Sequence, residues 1–276
     1  MNNIHPTAII GPKVHLGDNN TIYPNTIIYG PTRIGDDNII GSNVVIGYGA
    51  IIYPNVVIGD NTFIGPYSIL GEPTGSFYSE TEGGVEKHNF KKTFIGANSV
   101  VRSHSVIYEN VEIGEGFQSG HRVTIRENTR IGIKCSVGTL SDIQGEVYIG
   151  DYVRMHSNVH IGQHSIVEDF AWIYPYVVLT NDPHPPVYNP QGVTIKKYAV
   201  VSTSSVIMPG VVVGENALVG AHSVVTKNVD AEMLVLGNPA RVKCSVRDIR
   251  DESGNQIYPW KDYIKEYRGY PWQVKE

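Results

Sequence analysis

The chain has 276 residues, of which 41% are hydrophobic and 18% are charged, a balance that excludes a disordered polypeptide. Its formal net charge of -5 gives no general attraction to nucleic acid or to an anionic membrane, so we expect neither as a partner. The two cysteines, Cys135 and Cys244, are too few for a disulfide framework or a four-cysteine zinc site, and we expect no metal.

The beginning of the chain, MNNIHPTAII, lacks the basic start and the long apolar stretch of a secretory signal. No apolar run in the sequence has the length of a membrane-spanning helix. We therefore expect a cytoplasmic protein. The 29 glycines and 16 prolines favour short strands joined by tight turns.

A six-residue period of aliphatic residues governs most of the chain. Steps of six from Ile4 to Leu70, from Ile95 to Leu179 and from Ile195 to Val225 meet 33 positions, and 32 of these are Ile, Leu, Val or Met. A second position, four residues after each of them, carries small side chains that we also expect to point inward. This period fits neither an amphipathic helix nor a long alternating strand. Three hexapeptides complete one coil, so residues 1–243 are predicted to form an all-β parallel β-helix of about eleven coils.

Two segments interrupt the period and predict loops that leave the helix. Residues 71–93 are polar and include Phe77 and Tyr78, whereas residues 180–194 are rich in proline. Long loops on a regular scaffold usually carry function, although a tolerated surface insertion is the alternative for each. Phe77 and Tyr78 are therefore candidate substrate contacts.

One coil departs from the packing pattern. Ser119 is the single polar residue at an inward aliphatic position, and His121 follows it closely. Departures from local rules are expected at functional sites, so His121 is a candidate base or hydrogen-bonding group facing a groove between subunits. A structural histidine that bridges two subunits is the alternative. At steps of 18 residues, His121 shares one corner of the coil with Ser103, Thr139, Ser157 and Pro175.

Neighbouring coils offer further candidates. Asn158, His156 and His160 are secondary candidates for catalysis. Three arginines offer charge-assisted hydrogen bonds to a nucleotide diphosphate, and these are Arg122, Arg126 and Arg154.

The hexapeptides, the segment IMPGVVVGENALVGAHSVVTKNV and the following LGNPARV resemble the hexapeptide-repeat acyltransferases. The resemblance spans residues 4–243, and its closing signature is typical of the members that use CoA. It implies left-handed coils, a homotrimer, active sites in the grooves between neighbouring subunits, and acetyl-CoA or another acyl-CoA as co-substrate. The residues it offers for CoA are Ser202, Ala221 and His222 along the pantetheine, and Lys227, Arg241 and Lys243 at the phosphates, where an ordinary solvated edge is the alternative.

Two subgroups of this family compete. The start, IHPTAIIGPKVHLG, is similar to the UDP-N-acetylglucosamine O-acyltransferases of lipid A synthesis. GHRVTIRENTRIG, VVLTNDPHPP and GNPARV are more similar to N-acetyltransferases of nucleotide-linked amino sugars, the dTDP-3-amino-3,6-dideoxyhexose type. We favour the second subgroup, because its matching segments are those expected to contact CoA and substrate.

The loop that begins at residue 180 bears on the same choice. Sugar O-acetyltransferases of the family carry a catalytic histidine in a Thr-x-His-Pro loop, whereas here Asp182 occupies that place and His184 follows two residues later. A hydroxyl needs a base to become nucleophilic, but a positioned neutral amine attacks a thioester with less help. The sequence therefore predicts acyl transfer from CoA to the amine of a dTDP- or UDP-linked amino-deoxysugar for surface glycan synthesis, with Asp182 and His184 as candidate catalytic residues.

Two further classes use or resemble this fold. The γ-type carbonic anhydrases bind zinc through three histidines, for which His156, His160 and His164 are available. These three lie one, five and three places after an aliphatic position, so they are expected to diverge, whereas metal ligands must converge. A non-catalytic scaffold is disfavoured by the two long loops.

Residues 244–276 carry no hexapeptides and are rich in aromatic residues such as Tyr258 and Trp260. We expect a cap over the last coil, with a short helix around 247–251 or 260–268. Its aromatic residues are expected to serve packing.

Overall fold

A computed structural model describes residues 1–30, 38–79, 85, 88–186 and 188–262. In these ranges the chain is an all-β, left-handed parallel β-helix of 34 short strands, numbered here in chain order, in three sheets that we name A, B and C. The chain visits the three sheets in turn, so each coil has an A–B edge, a B–C edge and a C–A edge. None of the helices in the described ranges is long and apolar enough to cross a bilayer.

The three sheets hold 13, 11 and 10 strands. Sheet A contains β1 Asn3–Ile4, β4 Thr21–Ile22, β7 Val45–Ile46, β10 Phe63–Ile64, β13 Val100–Val101, β16 Gln118–Ser119, β19 Ser136–Val137, β22 Arg154–Met155, β25 Trp172–Ile173, β28 Val200–Val201, β31 Leu218–Val219, β33 Met233–Gly237 and β34 Ala240–Ser245. Sheet B contains β2 Ile9–Ile10, β5 Ile27–Ile28, β8 Ile51–Ile52, β11 Ile69–Glu72, β14 Val106–Tyr108, β17 Thr124–Ile125, β20 Asp142–Ile143, β23 His160–Ile161, β26 Val178–Leu179, β29 Val206–Ile207 and β32 Val224–Val225. Sheet C contains β3 Val14–Leu16, β6 Asn38–Ile40, β9 Val56–Ile58, β12 Thr93–Ile95, β15 Glu112–Ile113, β18 Arg130–Ile131, β21 Tyr148–Ile149, β24 Ile166–Val167, β27 Thr194–Ile195 and β30 Val212–Val213.

The core is a column of the aliphatic residues that recur every six positions. In sheet C, for example, Ile131 pairs with Ile149 and Ile149 pairs with Val167, and all three side chains are buried. The second inward position is buried as well, with Ala50 and Thr62 as examples. The structure therefore confirms both inward positions, and burial of this continuous apolar column is the main stabilising term of the fold.

The corners place side chains with a repeating geometry, because one residue of each corner adopts a left-handed backbone conformation. Asparagine tolerates that conformation, and Asn61, Asn98 and Asn128 adopt it with φ of 56°, 57° and 60°. The corner residues of successive coils are hydrogen-bonded to one another, as where the Asn61 side-chain amide donates to Asn98 Oδ1 at 3.3 Å. A side chain at such a position thus lies directly above its counterpart one coil away.

All three insertions into the regular coil leave from the B–C edge. Paired residues in sheet B are normally 18 positions apart, but Ile28 pairs with Ile52, Leu70 with Ile107, and Leu179 with Ile207. The second and third of these steps accommodate the predicted loops, which end where β12 and β27 begin. In the first step, from Ile28 to Ile52, one hexapeptide of the predicted six-residue period does not appear in the ladder of described strands. That hexapeptide contains Ile34, which lies outside the described residues.

The C-terminal segment begins inside the last strand of sheet A. β34 runs antiparallel to β33 and crosses the predicted boundary at residue 243, and short 3₁₀ helices follow at Val246–Asp248 and Trp260–Asp262. Trp260 packs on Trp172 of sheet A at a ring-centroid distance of 5.3 Å and donates its indole N–H to the Tyr198 carbonyl at 2.8 Å. Trp260 and the residues around it therefore pack against the side of sheet A. The rest of the expected 260–268 helix lies outside the described residues.

Candidate functional site

The first loop is fixed to the β-helix by one buried carboxylate. Glu109 is only 3% exposed and lies at the B–C edge after β14. It accepts hydrogen bonds from the backbone N–H of Thr74 at 3.2 Å, from the backbone N–H of Lys91 at 2.9 Å, and it pairs with His88 Nε2 at 3.1 Å. These contacts hold both ends of the loop against the coil, so the described part of the loop is an ordered element.

The loop contains a five-residue helix, α1 Gly75–Ser79, that carries the two predicted substrate contacts. Phe77 packs edge-on against His88 at 5.3 Å and near Phe90, which is itself buried, so Phe77 stabilises the loop. Tyr78 is 60% exposed and donates a short hydrogen bond from its hydroxyl to Glu72. Burial raises the pKa of Glu72, and it raises the pKa of Tyr78 together with that hydrogen bond.

Part of the face of sheet B lies between the bases of the two loops. The loops leave from β11 and β26, and β14, β17, β20 and β23 lie between those strands, a span of about 24 Å at ~4.8 Å per strand. We call this surface the loop-bounded groove. Its described polar side chains include Glu72, Tyr78, Tyr108, Arg126, Glu127, Asp142 and His160.

Arg126 lies at the centre of this groove and is already paired. Its guanidinium donates two hydrogen bonds to Glu127, at 2.9 and 3.0 Å, and it lies over the Tyr108 ring at 5.5 Å. The hydrogen bonds with Glu127 raise the pKa of Arg126, whereas burial is the main cause that raises the pKa of Tyr108. The pair leaves Arg126 less available to a diphosphate than its position in the sequence indicates.

Asp142 and His160 form a carboxylate–imidazole pair on the face of sheet B. The two residues are register partners on neighbouring strands, and His160 Nδ1 lies 3.1 Å from Asp142 Oδ2. Gln144 donates a further hydrogen bond to the same oxygen at 3.3 Å. The hydrogen bond from His160 is the main cause that lowers the pKa of Asp142, and Arg126 lowers it further. The imidazole is thereby held by one nitrogen.

A second pair with the same spacing stands at the neighbouring corner. His164 Nδ1 lies 2.9 Å from Glu146 Oε2, and both residues adopt the left-handed corner conformation, with φ of 64° and 60°. This pair lies beside Glu127 at the B–C edge, where the Glu127 carbonyl accepts the Glu146 backbone N–H at 3.0 Å.

The second loop rises beside the last strand of the groove. Its base is closed by a hydrogen bond of 2.7 Å from the Gln191 N–H to the Asn181 carbonyl. Asp182 is half-buried near that base, whereas His184 is exposed further out on the loop. The two candidate catalytic residues of this loop therefore differ in exposure, since His184 lies at the surface and Asp182 is partly buried.

His121 lies on the opposite edge of sheet B, the A–B edge. Its Nδ1 hydrogen-bonds Ser103 Oγ at 2.8 Å and its backbone N–H donates to Thr139 Oγ1 at 3.1 Å, so these three corner residues are stacked neighbours. The polar Ser119 has a structural role, since its Oγ accepts the Arg102 backbone N–H at 2.8 Å where the strand pairing is interrupted.

The other predicted polar residues divide between this edge and sheet A. Arg122 and Asn158 both occupy left-handed corner positions of the A–B edge. His156 stacks on Tyr174 at 4.8 Å, and burial lowers its pKa. Arg154 is 2% exposed and lies over the Trp172 ring at 5.2 Å, so its guanidinium is covered where a diphosphate contact was predicted.

The residues predicted for CoA lie in two places. Ser202, Ala221 and His222 follow β28 and β31 on the A–B edge, the edge that also carries His121. The three cations are exposed elsewhere, with Lys227 after β32 and with Arg241 and Lys243 on β34.

A surface hollow of about 570 Å³ lies on the sheet C side of the B–C edge. It presents Lys92, Phe94 and Arg130 beside two corner asparagines. In the part of the chain that the structure describes, no three His, Cys, Asp or Glu residues are grouped in a way that could hold a metal ion.

Sequence reasoning missed Asp142, Glu72 and Glu109. A signal for the first was available, because an acidic residue precedes a histidine by 18 positions, one full coil, at Asp142–His160 and again at Glu146–His164. Glu72 and Glu109 gave no such signal, since a single glutamate at a corner resembles any solvated turn residue.

Known proteins share the repeat and the fold. Residues 13–48 and 39–72 match the family described as bacterial transferase hexapeptide (six repeats), and residues 202–227 match the hexapeptide repeat of succinyl-transferase. The fold is similar to that of the UDP-N-acetylglucosamine acyltransferase from Campylobacter jejuni, with a TM-score of 0.51, 18% identity, and coverage of 91% of this chain and 79% of that chain.

Two relatives carry more specific names. The galactoside O-acetyltransferase of Escherichia coli (strain K12) is 31% identical over 134 residues, which are 41% of this chain and 64% of that protein. The dTDP-3-amino-3,6-dideoxy-alpha-D-galactopyranose 3-N-acetyltransferase of Aneurinibacillus thermoaerophilus is 49% identical over 49 residues, which are 18% of this chain and 26% of that protein. The matched regions span less than two thirds of either relative.

Proposed function

Because the chain belongs to the hexapeptide-repeat acyltransferases, we propose that it transfers an acetyl or other short acyl group from acyl-CoA to the amine of a nucleotide-linked amino-deoxysugar. The nucleotide is dTDP or UDP, and the product serves surface glycan synthesis. The short, 49% identical match to a dTDP-3-amino-sugar N-acetyltransferase supports this choice of acceptor.

The observation that carries the proposal is the charge of the loop-bounded groove. In the described part of this surface, three carboxylates, those of Glu72, Glu127 and Asp142, lie around the guanidinium of Arg126. An acceptor amine carries a positive charge near neutral pH, so a groove with excess carboxylate attracts it, whereas a hydroxyl gains nothing from that field. The nucleotide half needs cations, and Lys92 and Arg130 lie just across the same edge.

The proposal requires a homotrimer, because one face of a β-helix is not a deep cleft. We place the A–B edge of one subunit opposite the B–C edge of its neighbour. Ser202, Ala221 and His222 of the first subunit then contact the pantetheine, while Lys227, Arg241 and Lys243 neutralise the phosphates. His121, on that same A–B edge, faces the acceptor groove of the neighbour and donates or accepts a hydrogen bond there.

A second candidate is transfer to a sugar hydroxyl. It is favoured by the 31% identity with a galactoside O-acetyltransferase over 134 residues. A hydroxyl must lose its proton to a base as it attacks, and under this candidate function we assign that role to His184, which is exposed on the second loop. In this case removal of His184 abolishes turnover, whereas a neutral amine reacts without it.

The test compares acceptors that differ in one atom. Purified protein is incubated with acetyl-CoA and either a dTDP-linked amino-deoxyhexose or the same nucleotide sugar with a hydroxyl at that carbon, and the released thiol is measured. We expect thiol release with the amine alone, and a product heavier by one acetyl group. Faster turnover of the hydroxyl compound contradicts the proposal. Turnover with acyl carrier protein as donor, and none with acetyl-CoA, contradicts the role of CoA.

A further inference from the structure

The geometry of the loop-bounded groove points to His160 as the proton acceptor for the incoming ammonium, with Asp142 as the residue that positions it. The inference rests on the proposed acyl transfer and adds a residue and a step to it. Three observations support it, namely the orientation of the imidazole, its charged surroundings and the presence of a matched pair that lacks them.

The orientation comes from the register of sheet B. Asp142 and His160 are direct partners on β20 and β23, so the carboxylate engages Nδ1 at 3.1 Å and Nε2 is the nitrogen left for the substrate. Gln144 fixes the carboxylate from the other side at 3.3 Å. An imidazole held through one nitrogen by a carboxylate keeps the tautomer in which the other nitrogen accepts a proton.

The surroundings of the pair favour a cationic ligand. The charge of Arg126 lowers the pKa of Asp142, and the charges of Asp142 and Glu72 both raise the pKa of Tyr108. The pair therefore belongs to the group of charged residues that joins the first loop to sheet B. The side chains of His160 and Asp142 are each 39% exposed, which leaves both within reach of a ligand in the groove. The pair thus belongs to the groove, and both of its side chains are accessible to a ligand there.

The pair Glu146–His164 repeats the same chemistry without these surroundings. It has the same spacing of 18 residues and a similar distance of 2.9 Å, but it lies at the corner, and neither side chain is among the groups that shift the pKa of Asp142 or of Tyr108. If carboxylate–histidine pairs served only to join neighbouring coils, both pairs would have equal effects on the rate. The chain therefore supplies its own control.

The proposed step balances in atoms and charge. His160 Nε2 takes a proton from the ammonium of the sugar, and the freed lone pair attacks the thioester carbonyl carbon. The C–N bond forms, the C–S bond breaks, and the thiolate of CoA leaves with the electron pair of that bond. The thiolate takes the second proton of the attacking nitrogen, and His160 then returns its own proton to solvent. The products are the amide, free CoA thiol and one proton.

The experiment compares His160→Gln with His164→Gln, and Asp142→Asn with Glu146→Gln, under saturating acetyl-CoA. We expect His160→Gln to lower kcat by about 100-fold or more, the usual scale of general base catalysis, and Asp142→Asn to lower it by about 10-fold or more. His164→Gln and Glu146→Gln are expected to stay within about 2-fold of the wild type. Equal effects of the two histidine variants overturn the inference.

A second readout keeps this test separate from that of the proposed function. The variants are assayed with whichever acceptor, amine or hydroxyl, the wild type acylates, so a wrong acceptor class leaves the comparison of the histidines intact. If neither acceptor is acylated, the dTDP-linked amino sugar is titrated into ¹⁵N-histidine-labelled protein. The inference predicts that the ring nitrogens of His160 shift and those of His164 do not. No shift at His160 overturns it.

Discussion

Replacing Glu109 by glutamine should open the first loop while leaving the β-helix folded. The substitution keeps the side-chain volume but replaces one acceptor oxygen by an NH₂ group. Glu109 receives the backbone N–H groups of Thr74 and Lys91 on its two oxygens, so one of these donors then faces another donor. A hydrogen bond to a charged group that is replaced by an unsatisfied buried donor costs about 2–4 kcal/mol.

This cost should appear as local opening, because the aliphatic core does not include the loop. Amide hydrogen exchange at Thr74 and Lys91 is expected to speed up roughly 30- to 1,000-fold, since each 1.4 kcal/mol is a factor of ten. Glu112→Gln is the matched control, because Glu112 is 63% exposed and pairs with Arg130 only at 3.5 Å. Exchange in Glu109→Gln that matches the control would refute the role of this carboxylate.

Three other predictions follow from burial and from the altered pKa values. Ile149→Ala should lower the free energy of unfolding by about 2–4 kcal/mol in denaturant titrations, because Ile149 is 1% exposed within the column, and a loss under about 1 kcal/mol would contradict its core role. The hydrogen bond from His160 lowers the pKa of Asp142, so this carboxylate stabilises the fold above about pH 4, and its contribution disappears as the pH falls through the lowered pKa. The difference in the free energy of unfolding between wild type and Asp142→Asn should therefore shrink from pH 5 to pH 3. A difference that stays constant over this range would contradict a stabilising role of the Asp142–His160 hydrogen bond. Burial raises the pKa of the Cys135 thiol to about 12, so iodoacetamide at pH 8 should alkylate Cys244 and spare Cys135 by mass spectrometry, whereas equal labelling would show that Cys135 is accessible.

The fold was predictable because one physical requirement repeats. Every coil must fill the same cross-section, so the period of six appears directly in the sequence, as the ladder from Ile131 through Ile149 shows. The six-residue period could not show that the hexapeptide containing Ile34 is missing from the ladder of described strands. An insertion of six residues leaves the period intact, and only strand pairing distinguishes it from a regular face.

The candidate site was less predictable, because it depends on which edge each corner occupies. The period places His121 and His160 on coils but does not say that the three insertions share the B–C edge. Once that edge is known, His160, on the sheet face between the loops, becomes a stronger candidate for the site than His121, on the opposite edge. The role of Glu109 depends on donors from a loop whose path the sequence does not specify.

The most direct test of the account is the rate of thiol release from acetyl-CoA with a dTDP-linked 3-amino-3,6-dideoxyhexose, compared with the corresponding 3-hydroxy compound. The account predicts one thiol released for each amide formed, and a rate with the amine at least 100-fold above the rate with the hydroxyl. Equal rates, or ester formation in place of amide formation, would contradict the claim that the carboxylate-lined groove between the two loops selects and acylates an amine.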